Sequence, residues 1–172
     1  MQKFLTPEAI ETAKEIALAP VNHVEILPSV LPVVLGAVVI ELYFGKHSSE
    51  DLGWNSSVSN AIIWVATGAS LYLTQDLGTG LERTAVLLLL GFGIAVGFLD
   101  FFHIWPKEVA FIASAPTVVY VFAYMTTVLV RTPLEIGTET LKGAGIFAGT
   151  AFTGFELLKL SLTSQDDGLE FD

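Results

Sequence analysis

Residues 109–130 read VAFIASAPTVVYVFAYMTTVLV, twenty-two positions without a charged side chain. At 1.5 Å per residue a helix of this length covers about 33 Å, enough for the hydrocarbon core of a bilayer. Pro116 predicts a kink in it, because proline removes a helical N–H. The stretch decides the fold class: all-α, in a membrane.

The flanking sequence extends the pattern in both directions. Upstream, 83–105 is uncharged from Thr84 to Asp100 and carries Gly93-x-x-x-Gly97, a face on which another backbone packs closely. Trp105, Pro106 and Lys107 close it with an aromatic anchor, a stop and a charge. A span over 57–75 holds Ser59, Asn60, Thr67 and Ser70, which are expected to face other helices. A first span over 23–44 starts from the capping pair Asn22 and Glu25, with Pro28 and Pro32 bending it, and is interrupted only by Glu41. The fifth, 140–162, is the least apolar, and Gly145-x-x-x-Gly149 marks it for close packing.

Composition agrees with this reading. Of 172 residues, 52% are hydrophobic and 15% charged, where a soluble domain carries about a quarter charged residues. The absence of cysteine removes disulfides, thiolate zinc sites and thiol catalysis. A net charge of -10, with eight basic residues scattered singly, argues against nucleic acid. The expected architecture is therefore an integral membrane protein: a five-helix transmembrane bundle over 21–162, preceded by a short amphipathic helix over 1–20 and followed by an acidic, disordered tail over 163–172.

The N-terminal helix is signalled by Thr6, Pro7 and Glu8, a cap, a first-turn proline and an acid at the positive helix end. It is expected to end at Ala19, before Pro20. Ile10, Ala13, Ile16 and Ala17 would form one face and lie at the membrane surface. An acidic helix ahead of the first apolar run does not have the form of a cleavable signal peptide.

Five spans place the chain ends on opposite sides. The side of the N-terminus, here called near, holds Lys3, Lys14, Arg83, Arg131 and Lys142; the far side holds Lys46, Lys107 and Lys159. Five basic residues against three favour a cytoplasmic N-terminus of a multi-pass protein in the cell membrane.

Alternation of direction then gathers Glu41, Asp100, His103 and Glu156 toward the far side. Ionisable groups at membrane depth pair, face the bundle interior or line a polar path, so these four are the candidates for binding a proton or a cation. Asp100 and His103, three apart, suit a carboxylate–imidazole pair or two ligands of a metal of unspecified identity. The plainer reading makes both interfacial groups near Pro106. Glu41, four residues before Gly45, would be satisfied in its neutral form or by a salt bridge with Lys159 or Lys46. In the last span Glu139, Lys142, Ile146, Gly149, Thr153, Glu156 and Leu160 are spaced three, four, three, four, three, four. This seam either lines a water-filled path or packs closely, with Glu139–Lys142 and Glu156–Lys159 ion pairs at its ends.

No catalytic residue is assigned. Ser114 has no nucleophile elbow around it, and there is no phosphate loop, dinucleotide fingerprint, zinc-protease helix or haem pair, so no cofactor is expected. The leading functional reading is a non-enzymatic permeation unit for an ion or proton, or a membrane subunit of a larger assembly. Its partners would be the lipid bilayer and either further copies of the chain or a larger complex. The rivals are a metal-dependent enzyme acting on lipid, using Glu41, Asp100, His103 and Glu156, and a structural scaffold.

Overall fold

The structure is a computed structural model and describes residues 4–46, 53–78 and 80–166. Among the described residues there are helices and no strands. α1 spans Pro7–Asn22, and a 3-10 turn, Val24–Ile26, leads into α2, Leu27–Lys46. α3 is Trp54–Thr74, α4 Gly80–Phe101, α5 Lys107–Ala113, α6 Pro116–Arg131 and α7 Thr138–Asp166. Three segments are long and apolar enough to cross a membrane: Val24–Lys46, Gly80–Phe101 and Lys107–Arg131, the last containing both α5 and α6. α3 and α7, at 21 and 29 residues, have the length but fall short in composition.

α1 begins as its sequence dictates, with the Thr6 hydroxyl accepting the Ala9 N–H at 3.1 Å. It does not stop before Pro20. A proline has no N–H for the carbonyl four residues back, and here the Tyr124 hydroxyl donates to Ile16 O at 2.8 Å instead. The expected helix end thereby becomes a contact between α1 and α6. The buried face is Ala9, Ala13, Ile16 and Ala19, while Ile10 and Ala17 are exposed, so the face is rotated from the expected one. That face packs along the start of α7, where Gly143 lies so close that a Cβ there would stand 2.9 Å from Ala9 O. Thr6 also donates to Glu139, and Lys142 lies 2.6 Å from the same carboxyl. Lys142, with Thr6 second, holds the Glu139 carboxyl below the usual carboxylate range.

The expected Asn22–Glu25 capping box is replaced by a different contact. Glu25 pairs with His23 Nδ1 at 3.1 Å, and the 3-10 turn has no side-chain cap.

α3 and α4 form an antiparallel pair joined by small residues. Gly68 faces Leu90, Gly93 faces Trp64 and Val65, and Gly97 faces Ala61. Of the polar residues expected to turn inward on α3, Asn60 is buried, whereas Ser59 and Ser70 are exposed. α6 is central and touches every other α-helix. It buries Val119, Val121, Ala123, Tyr124, Met125 and Val128 in the core with Ile16, Ile26, Val30, Trp64 and Val96.

Two expected spans end differently. α4 stops at Phe101 rather than continuing to 105, and the chain turns through His103 at φ 51°. The 109–130 span is two helices rather than one kinked helix. Pro116 offers no N–H to Ile112 O, which takes Ala115 N–H at 3.3 Å, and α6 restarts with Pro116 in its first turn. α7 runs to Asp166, through the first residues expected in the tail; the remainder of the tail, 167–172, lies outside the described residues, as do 47–52.

Candidate functional site

Two of the apolar helix faces that build the core carry an acid toward the far end. On α2 the buried stripe is Val30, Val33, Ala37, Glu41 and Gly45, and on α4 it is Val86, Leu89, Gly93, Val96 and Asp100. Helical periodicity thus carries Glu41 and Asp100 inside, and both are 0% exposed. The break between α5 and α6 lies between them.

On one side of the break, the Thr117 hydroxyl donates to Glu41 Oε1. Lys159 Nζ stands 2.8 Å from Glu41 Oε2 and 2.9 Å from Glu156 Oε1. Thr117 is in the first turn of α6, so Glu41 also sits by the positive end of that helix, where a carboxylate is favoured. Gly45 lets α7 come this close: a Cβ there would lie 3.4 Å from Lys159 Cα. Glu41 is therefore the buried end of a link joining α2, α6 and α7.

On the other side, Asp100 has neutral partners. Its Oδ1 accepts the Trp105 indole N–H at 2.5 Å, and its Oδ2 is hydrogen-bonded to Ser57, which is hydrogen-bonded in turn to Ser114. Ser114 Oγ donates to Ala110 O at 2.7 Å. The break leaves Ser114 O without a helical donor, and Asn60 Nδ2 supplies one at 2.8 Å. Trp64 Nε1 donates to Val119 O at 2.8 Å one turn further along. These bonds fasten the interrupted helix to α3 and α4.

No family model, curated protein or solved structure matches this chain. The site is therefore read from its chemistry alone.

The four expected candidates do not form one constellation. Glu41 and Glu156 share Lys159, Asp100 belongs to the second network, and His103 is elsewhere. The end of α4 at Phe101 removes Asp100 and His103 from a common helical face, and the imidazole stacks on Trp54 with ring centres 4.1 Å apart. Among the described residues no three His, Asp or Glu side chains converge as a metal would require. Asp100, Ser57 and Ser114 do meet, but among the described residues no side-chain hydrogen bond joins them to His103, the base a serine nucleophile would use.

The seam of α7 turns from the inside to the outside along its length. Glu139, Lys142 and Ile146 are partly buried, while Gly149, Thr153, Glu156 and Leu160 are exposed. Gly149 has nothing within 4 Å of where its Cβ would be, and Gly145 meets only Phe4. Thr153 bonds back to Gly149 O at 2.8 Å. Toward the middle of the bundle the space beneath the Glu41–Lys159 pair is an apolar cleft of about 550 Å³, walled by Val33, Ala37, Tyr120, Phe147 and Phe155. The interior of the described chain thus has polar groups at its far end and an apolar middle.

Ser57, Thr117 and Trp105 were not among the sequence candidates. The signal for Ser57 was available: it stands on the stripe Ser57, Ala61, Trp64, Gly68 and Leu71, which the small and aromatic residues of α3 already define.

Proposed function

We propose that the chain is an integral membrane protein that crosses the bilayer five times and serves as a non-enzymatic subunit, working where its last helix meets another membrane chain. One observation carries this reading: α7 is too polar for a lipid-facing span, yet its Gly149, Thr153 and Glu156 are exposed on the outside of the bundle. Hydroxyls, glycines and carboxylates in hydrocarbon seek helices rather than lipid. Support for five crossings comes from packing, because α3 follows α4 from Gly68–Leu90 to Ser57–Asp100 and α7 reaches the far end of α2 at Gly45.

A permeation role fits the same arrangement. The apolar middle of the bundle favours a path between chains, along the α7 seam, over one through a single chain. The basic residues of the near side favour a cytoplasmic N-terminus. The separation of Glu41, Asp100 and His103 tells against the metal-dependent enzyme.

The chain has no cysteine, so single cysteines report contacts without background. Thr153→Cys, oxidised in native membranes, is expected to give a cross-linked species, either twice the mass of the chain or the chain plus a partner cysteine protein. Leu88→Cys, on the exposed face of α4, is expected to stay single. A Thr153→Cys protein that is monomeric and quenched by lipid-borne probes to the same degree as Leu88→Cys would overturn the proposal.

A further inference from the structure

We infer that Asp100 is a proton-binding site, its carboxyl holding the proton that completes the Ser57–Ser114 network. The argument is a count of hydrogens. Three oxygen–oxygen contacts run in series: Asp100 Oδ2 to Ser57 Oγ, Ser57 Oγ to Ser114 Oγ, and Ser114 Oγ to Ala110 O. Each needs one hydrogen between its oxygens. The Ala110 carbonyl has none to give, and two hydroxyls supply two. The third has one place to reside, on Asp100 Oδ2. The series then has a single direction: Asp100 O–H donates to Ser57, Ser57 to Ser114, and Ser114 to Ala110 O.

The surroundings agree. Asp100 is 0% exposed, and no ion pair among the described residues includes it. A sealed carboxylate without a cation is costly, whereas a neutral acid that both donates and accepts is satisfied. Oδ1 remains the acceptor and takes the Trp105 N–H. Glu41 is the contrast: equally buried, it has Lys159 and no hydroxyl series to complete. Two acids at one end of the bundle are thus given opposite forms by their neighbours.

Release of the proton breaks the Asp100 O–H bond and passes that hydrogen to solvent, leaving two hydrogens for three contacts. One contact must then open, and Ser114 is the group free to turn, from Ala110 O toward Ser57. Proton occupancy is in this way tied to the α5–α6 break. The inference stands on the network alone, so the cross-linking result at Thr153 does not bear on it.

The test is infrared spectroscopy of the full chain in lipid vesicles, with aspartate labelled by carbon-13 in its side-chain carboxyl. A carboxylic-acid carbonyl band that shifts with the label, persists in Glu41→Gln and is lost in Asp100→Asn is expected. Ser114→Ala shortens the series to one contact, which the Ser57 hydrogen fills, so the acid band is expected to fall and carboxylate absorption to rise. Because the labelled native protein reports directly, a poorly folding variant leaves the test intact. No label-sensitive acid band in the native protein, or a band that survives Asp100→Asn, would overturn the inference.

Discussion

Two residues show how a local defect is answered across the fold. Pro20 leaves Ile16 O without its helical donor, and Tyr124 provides one; Pro116 interrupts a helix, and Asn60 satisfies the carbonyl exposed beside it. Glu41 presents a larger demand, a sealed charge answered by one lysine that is itself shared. The two partners should therefore respond unequally to substitution. Lys159→Met leaves the Glu41 charge buried with only Thr117, and a loss of about 3 kcal/mol is expected. In Glu41→Gln the lysine, 28% exposed, keeps Glu156, and the loss should be nearer to about 1 kcal/mol. The double variant should regain most of what Lys159→Met loses, since no buried charge is then stranded. Unfolding equilibria in mixed micelles measure all three, and equal losses from the two single variants would show that the pair contributes by contact rather than by charge.

At the scale of elements, closeness of approach separates glycines that look alike in sequence. A Cβ at Gly93 would stand 3.0 Å from Val65 N and one at Gly68 3.0 Å from Leu90 N, backbone atoms that cannot turn aside. Gly93→Ala and Gly68→Ala should each cost about 1 to 3 kcal/mol in the same unfolding measurement. Gly97→Ala, 3.4 Å from Ala61 Cβ, makes an ordinary contact, and Gly149→Ala meets nothing, so both should fall within about 0.5 kcal/mol of the native protein or gain slightly from helix propensity. A large loss for Gly149→Ala in the isolated chain would mean that this face is covered from within. Such distinctions explain what was legible beforehand. Runs of apolar residues and their breaks, which depend on a few neighbours in sequence, revealed the helices and the Gly93–Gly97 face. The glycine that α1 needs, Gly143, and the rotation of the α1 face depend on where α7 lies, and no local pattern encodes that. Glu41 and Asp100 were legible as costly groups; Ser57, Ser114 and Thr117 became their partners only when three helices converged.

For the whole molecule, composition supports three crossings, and the proposal of five rests on packing. α4 is apolar enough to cross, and α3 stays against it from Gly68 at one end to Ser57 at the other, so the proposed fivefold crossing has α3 pass through beside α4 despite its polar residues. The same reasoning applies to α7, which begins beside Thr6 and ends beside Gly45, the latter at the far end of α2. Enclosure by neighbours substitutes for hydrophobicity on the covered faces, as expected for helices in a bundle. Single cysteines in this cysteine-free chain test the result with a membrane-impermeant maleimide on sealed vesicles of both orientations. Asp76→Cys and Glu135→Cys, both exposed, should be labelled from one side, and Glu108→Cys and Ser161→Cys from the other. If α7 lay along the surface, Ser161→Cys would label with Glu135→Cys; if α3 failed to cross, Gly53→Cys, exposed at the start of α3, would label with Asp76→Cys instead of from the opposite side. A cytoplasmic near side, expected from its basic residues, adds that Asp76→Cys and Glu135→Cys should react only in inside-out vesicles. The opposite sidedness would leave the five crossings intact and invert the direction in which the Asp100 and Glu41 networks face.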